Sequence, residues 1–208
     1  MREMDRRGVV SAETDNVELA DRLKLIENMI AEGRHRQESW GWSFVLWGVA
    51  YCIATAWATW GHSNLAWPVT MIAAGLVTGV IASRMSHGHP ETTLGRALGA
   101  VWSAMGISLM IVLMCLAASG RYDSHVFVAI VGAMLGTAHA TSAIILKWKM
   151  QFACALVWIA ACVTACFGSD TAAAVAFFAA TFFGQILFGI YAMVLESRRR
   201  KERGAVHA

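Results

Sequence analysis

Long apolar runs separated by short polar segments make up most of the chain after residue 40. Six runs have about the 20 residues that an α-helix needs to cross a bilayer. Backbone groups in lipid must be hydrogen-bonded within their own segment, and no barrel-like alternation is present, so the runs predict helices. The predicted spans are residues 41–60, 65–83, 99–119, 124–146, 150–168 and 171–195. The pattern predicts an all-α polytopic membrane protein with a bundle of six transmembrane helices over residues 40–196.

The first 40 residues have a different, mostly polar pattern. We expect residues 1–14 to be disordered, and Asp15 and Glu18 have the spacing of a capping box that opens a helix over residues 15–39. One face of this predicted helix carries an apolar stripe, namely Leu19, Leu23, Ile26 and Ile30. The stripe is too short to indicate a coiled coil. It fits best a helix on the inner leaflet or on the bundle, and the alternative is a helix that docks a protein partner or a second copy.

The basic residues lie almost entirely on one side of the predicted bundle. Of 17 Lys and Arg residues, only Arg121 falls in an outer connection, and five lie in the basic tail at residues 197–208. The positive-inside rule therefore places both termini in the cytoplasm, and the same split supports the count of six spans. A chain that is 57% hydrophobic and 15% charged agrees with a membrane protein.

A weak internal repeat runs through the six spans. The odd spans carry a tryptophan near the inner end, and the even spans carry two small residues four positions apart. The tryptophans are Trp47, Trp102 and Trp158, and the small pairs are Gly75 with Gly79, Gly132 with Gly136, and Ala180 with Gly184. Small residues at this spacing let two helix backbones approach closely. The pattern is compatible with three related helical hairpins.

Catalytic and metal-binding groups are scarce in the sequence. The middles of the spans lack Asp, Glu, Lys and Arg, and no phosphate-binding loop or Cys-x-x-Cys motif occurs. His87 and His89, near Glu91, lack an evident third ligand, so no metal site and no cofactor are predicted. Cys115 and Cys166 lie near the outer edge, and whether they pair stays open. An enzyme is not expected.

His139 is the one histidine in the middle of a predicted span. It lies on a stripe of small residues, so we expect it to face the bundle and not lipid. Gln185 falls at similar depth and is its predicted hydrogen-bond partner. The predicted buried polar layer contains His139, Gln185, Ser103, Thr78 and Cys154. Such a layer serves either as interhelical hydrogen bonding or as a ligand or sensing pocket.

The segment "LKLIENMI", the basic stretch after it and "FVLWG" at the first span are followed much later by "KWK" before the fifth span. In these features the chain resembles an uncharacterised family of small bacterial six-helix membrane proteins. The resemblance implies a bacterial inner membrane and carries no activity or binding residues with it.

These observations favour a non-enzymatic integral membrane protein that acts as a sensor, a regulator or a scaffold through its N-terminal helix. The expected partners are the lipid bilayer and a cytoplasmic protein or a second copy, without nucleic acid. The alternative is a small transporter or channel subunit with a polar pocket in the inner half of the membrane. The absence of proline from the middles of the spans weighs against broken transporter helices.

Overall fold

A computed structural model describes residues 2–63, 65–86, 93–121 and 123–206. Within these ranges every regular element is helical. The elements are α1 (Arg2–Ser39), α2 (Gly41–Gly61), α3 (Ala66–Ser86), α4 (Thr93–Ala118), α5 (Ser124–Leu146), α6 (Lys149–Phe167), α7 (Asp170–Ala180), a π-helical segment (Thr181–Leu187) and α8 (Phe188–Val206).

Six of the described helices are long and apolar enough to cross a membrane, as the hydropathy pattern predicts. Five are α2 to α6, and the sixth combines α7, the π segment and most of α8 as Asp170–Glu202. The all-α six-span architecture is therefore confirmed. The basic tail expected at residues 197–208 continues α8 as helix through Val206.

Two predicted boundaries were wrong. α1 begins at Arg2, although residues 1–14 were expected to be disordered, so the predicted capping box at Asp15 lies inside a helix. Residues 2–14 contain no proline, and seven of these thirteen residues are Arg, Glu, Met or Ala, which favour helix. α4 begins at Thr93 and not at residue 99, because Leu94 and Leu98 add an apolar turn that packs against other helices.

The tightest packing in the structure joins α5 to α6. A Cβ atom added at Gly132 would lie 2.8 Å from the carbonyl oxygen of Trp158, and one added at Gly136 would lie 3.3 Å from the amide nitrogen of Ile159. Side chains larger than hydrogen would force these backbones apart, so the prediction of close approach is confirmed for this pair.

The sixth span also packs closely, through Gly184 in the π segment. An added Cβ there would lie 2.6 Å from Nε1 of Trp158, which is fully buried. α2 crosses the same span, where Gly41 and Gly189 bring the two backbones together. α5, α6, α7, the π segment, α8 and α2 thus form the packed part of the bundle, which we call the packed core.

α3 and α4 are attached at the outside of this core. α3 packs along α2, and α4 packs along α5 and touches α1, whereas α3 and α4 make almost no direct contact with each other. In the stretch of α5 that is long and apolar enough to cross a membrane, half of the residues are buried inside the protein. The corresponding share for α4 is 6%. A cleft therefore separates α3 from α4.

Candidate functional site

The cleft between α3 and α4 has a volume of about 1500 Å³. Its inner surface is formed mainly by aromatic and aliphatic side chains of α2, α4 and α5. Those deepest in the bundle are Phe44, Tyr51, Phe127, Val131 and Leu135. A volume of this size exceeds the roughly 300–1,000 Å³ that is common for pockets of small ligands.

Glycines line both walls of the cleft. Gly75 and Gly79 lie on α3, and Gly99 and Gly106 lie on α4. A Cβ atom added at any of the four would meet nothing within 4 Å. The sequence predicted that Gly75 and Gly79 pack closely against a neighbouring helix, and this was wrong. The glycine face of α3 points into the cleft because α3 packs on α2 through other residues, including Met71 and Ala74.

The five residues of the predicted polar layer do not form one layer. Three of them, Thr78, Ser103 and Gln185, line the cleft. Gln185 is buried, and its Oε1 accepts no hydrogen bond from any described residue. Cys154 is buried in a separate apolar cluster near Trp148 and Phe188. The rotation of α6 about its own axis turns Cys154 away from the cleft. The sequence prediction used only the depth of each residue in its span, and depth does not determine this direction.

His139 is fully buried in the bundle, as predicted, but its surroundings are aromatic. The imidazole centroid lies 5.0 Å from the ring of Trp102, 5.5 Å from Phe44 and 5.7 Å from Phe188. Neither ring nitrogen has a hydrogen-bond partner among the described residues. The predicted hydrogen bond to Gln185 is therefore absent, because three rings from α2, α4 and α8 enclose the imidazole.

Trp102 connects the cleft to this aromatic cluster. It lines the cleft, packs edge-on against His139, and donates a 3.0 Å hydrogen bond from Nε1 to Oγ of Ser142 on α5. Phe44 likewise contacts both the cleft and His139. The two side chains form the wall between the open cleft and the buried imidazole.

The C-terminal end of α1 is tied to the bundle at the C-terminal end of α5 and the N-terminal end of α4. The Arg34 guanidinium donates to the carbonyl oxygens of Leu146 and Lys147, at 2.8 and 3.0 Å, and so caps α5. Gly33 fits against Leu94 and Leu146 with no room for a side chain. These contacts fix the last two turns of α1 to α4 and α5.

Glu38, also on α1, is fully buried and lies 3.1 Å from the guanidinium of Arg199 on α8. Burial raises the pKa of this carboxyl above its ordinary value, and the nearby Arg199, His35 and Arg34 charges act in the opposite direction. Sequence reasoning missed Glu38. The available signal was an acidic residue placed directly before the first apolar run.

The apolar stripe of α1 is exposed over most of its length. Leu19, Leu23 and Ile26 are each more than half exposed, and Ile30 is partly buried. Further along the same face, Gly33 and Gln37 are buried against the bundle. The stripe thus continues a face of α1 that is already used for packing at its other end.

The remaining candidate groups offer no further site. All five cysteines are free, so Cys115 and Cys166 do not pair in the structure. No group of three or more His, Cys, Asp or Glu that could hold a metal occurs among the residues described. His87, His89 and Glu91 lie outside the described residues.

His125, at the outer end of α5, contacts Asp170 through Nε2 and the carbonyl oxygen of Ala165 through Nδ1. It joins the outer ends of α5, α6 and α7, which is a structural role. Comparison of the chain with known protein families, curated proteins and solved structures gives no match.

Proposed function

We propose that this protein is a non-enzymatic integral membrane protein that holds a cytoplasmic protein or a second copy of itself through α1. The observation that carries the proposal is the contrast within α1: one end is fixed to the bundle, and the other presents an exposed apolar stripe. The role is that of a scaffold or of a regulator that responds to the membrane domain.

The fixed end supports this role because it couples α1 to the transmembrane helices. Arg34 caps α5, Gly33 packs on α4, and Glu38 pairs with α8. A partner bound to the stripe is thereby connected to three spans. A change in the packing of those spans would reach the partner without any catalytic step, and the middles of the spans carry no Asp, Glu, Lys or Arg.

The exposed end supports a protein partner through its residue pattern. Leu19, Leu23, Ile26 and Ile30 follow one another at spacings of four, three and four, which is the a/d spacing of a helix that packs against another helix. Charged residues, including the exposed ion pair of Glu18 with Arg22, surround the stripe. A helix with an apolar face from the partner would cover it.

The test changes Leu23 and Ile26 together to Asp in the full chain. Cross-linking in membranes and co-purification in mild detergent should lose the partner or the second copy, with insertion of the spans intact. The matched control is Leu25→Asp with Asn28→Asp, at the same spacing but off the stripe; Leu25 is equally exposed. An unchanged cross-linking pattern in the stripe variant would show that α1 only lies on the leaflet.

We place the chain in a bacterial inner membrane with both termini in the cytoplasm. Support comes from the distribution of basic residues, with Arg121 alone on the opposite side, and from the resemblance to bacterial six-helix proteins. Reporter fusions at residues 1 and 208 test the orientation. Periplasmic activity of a fusion at either terminus would contradict it.

A small transporter or channel subunit is the second candidate. The observation that favours it is the position of Thr78, Ser103 and Gln185 on one cleft. Purified protein in liposomes loaded with a fluorescent pH or potassium indicator would report flux. Flux that disappears in Gln185→Leu would favour this candidate over the scaffold.

A further inference from the structure

We propose that the cleft between α3 and α4 binds one anionic phospholipid from the leaflet on the side of the termini. The acyl chains lie along the apolar cleft, and the phosphate lies at its inner mouth. This inference is independent of the role proposed for the apolar stripe of α1, and it assigns a ligand to the cleft, which the scaffold proposal does not use.

The body of the cleft matches hydrocarbon. Its surface is formed by aromatic and aliphatic side chains, and the glycines of both walls leave a smooth channel between the two helices. It follows α4 from Gly95 to Leu113, a helix length of about 27 Å. Water in such a space would lose hydrogen bonds, whereas lipid chains lose nothing on leaving the bilayer for it.

The inner mouth of the cleft differs from the body because it is charged. Cationic side chains from three helices line it, namely Arg36 of α1, Arg96 of α4 and Arg200 of α8, with His35 beside them. Two carboxylates, Glu32 and Glu196, also line the mouth. The Glu196 carboxylate forms a salt bridge with Arg200 on the next turn of α8, and Oε1 lies 2.6 Å from Nη2. Among the described residues of the mouth, Arg96 is the cation that forms no ion pair.

Arg96 is the side chain best placed to hold a phosphate. It is exposed, it lines the mouth, and it makes no hydrogen bond or ion pair with another residue that the structure describes. It lies in the first turn of α4, whose N-terminal end adds partial positive charge. Guanidinium groups bind phosphate oxygens in a bidentate geometry, and a helix N-terminus favours the same anion.

The headgroup is tested by measuring lipid retention on the purified full-length protein. Native mass spectrometry during titration with phosphatidylglycerol or phosphatidylcholine of identical chains should show preferential binding of the anionic lipid. Arg96→Gln should weaken phosphatidylglycerol binding about fivefold, since one arginine near a lipid headgroup contributes about 1 kcal/mol. The matched control is Arg84→Gln, because Arg84 lies at the inner end of α3 but does not line the cleft.

The position of the chains is tested by filling the cleft from within. Gly106→Leu should abolish retention of phosphatidylglycerol, because a Cβ atom there meets no protein atom within 4 Å and the longer side chain would extend into the channel. Ala104→Leu, on the same helix but outside the cleft lining, should leave retention unchanged. A thermal melt of each variant in detergent establishes folding, and Gly75→Leu replaces Gly106→Leu if the latter does not fold.

Three results would overturn the proposal. Equal retention of both lipids that Arg96→Gln does not change would show that the mouth does not select a headgroup. Unchanged retention in both cleft-filling variants would place the lipid elsewhere. Loss of binding in Gln185→Leu with full binding in Arg96→Gln would show that the cleft instead holds a smaller molecule with a deeply placed polar group.

Discussion

The glycines of α5 and those of α3 have the same spacing but opposite surroundings. Gly132 and Gly136 let α5 lie against the backbone of α6, where even a Cβ atom would clash. Gly75 and Gly79 line an open cleft, and a Cβ atom at either position would meet nothing within 4 Å. The comparison shows that small residues four positions apart permit close approach without requiring it.

The difference arises from what each helix has on its other faces. α5 carries buried groups over a broad face, including Val131, Leu135, His139 and Ser142, so this face must be enclosed by neighbours. α3 presents large apolar side chains such as Ile72 and Leu76 outward, and these are satisfied by lipid. Helices in a bilayer gain little from burying apolar surface, so an unfilled glycine face persists where nothing else forces closure.

The largest expected effect separates the two glycine faces directly. Gly132→Leu should prevent α5 from packing on α6. It should lower the free energy of unfolding by about 3 kcal/mol or more, because the new side chain would displace backbone and not a flexible side chain. Gly79→Leu, the matched change on α3, should leave the melting temperature in detergent nearly unchanged. Comparable destabilisation by the two substitutions would contradict the contrast between the packed core and the cleft.

The next largest effect is expected at the ion pair that joins α1 to the packed core. Arg199→Ala removes the cation beside the buried Glu38 and should cost about 1–3 kcal/mol at neutral pH, since Arg199 is itself partly exposed. Adding Glu38→Gln should restore most of the loss, because no buried charge then remains. Melting temperatures of the single and double variants measure both effects.

This loss should also depend on pH. Burial raises the folded-state pKa of Glu38, so the folded protein takes up its proton more readily than the unfolded chain does. The stabilisation from protonated Glu38 is present below its ordinary pKa of 4.5 and is lost as pH rises through the raised value. The defect of Arg199→Ala should therefore shrink on acidification, and a defect that grew would contradict this assignment.

A smaller effect tests the link between α4 and the packed core. Trp102→Phe keeps an aromatic ring against His139 but removes the hydrogen bond to Ser142, leaving a buried hydroxyl without its donor. We expect a loss of about 1 kcal/mol in thermal unfolding. Trp47→Phe is the control, because the Trp47 indole also lines the cleft but donates to no described residue, and it should cost less.

The smallest effect concerns His139. The imidazole sits among three aromatic rings with both nitrogens unpartnered by described residues, so His139→Leu removes polar groups that gain nothing from burial. The variant should melt at the same temperature as the parent or at a higher one. Its free energy of unfolding should rise by up to about 1 kcal/mol. A clear loss of stability would indicate that the imidazole has a hydrogen-bond partner in the membrane.

The six spans could be predicted because the bilayer imposes one rule on each segment separately. A run of about 20 apolar residues must be helical wherever it lies, so 124–146 was predicted to the residue. The start of α4 was missed because Arg96 and two glycines resemble a loop, and the packing of Leu94 on Gly33 involves a helix distant in the sequence.

The candidate site was less accessible to sequence reasoning. The burial of His139 followed from the small residues on its own helix, which is local information. Its neighbours Phe44, Trp102 and Phe188 come from three other helices, and their convergence depends on rotations that no single segment encodes. The cleft could not be predicted either, because the glycines that line it have the spacing that is typical of a close contact between helices.

The π segment at Thr181–Leu187 has a consequence for how this sequence can change. A π turn holds one residue more than the α turns around it, and each residue of an α-helix advances the side chains by about 100°. If these residues formed a regular α-helix without loss of a residue, everything after them would be rotated by about that angle. Phe188 would leave His139, and Arg199 would leave Glu38. Deleting one residue within the wide turn, such as the exposed Phe183, would convert it to an α-helix that keeps the register of the C-terminal helix, whereas a deletion elsewhere in this span would rotate everything after it.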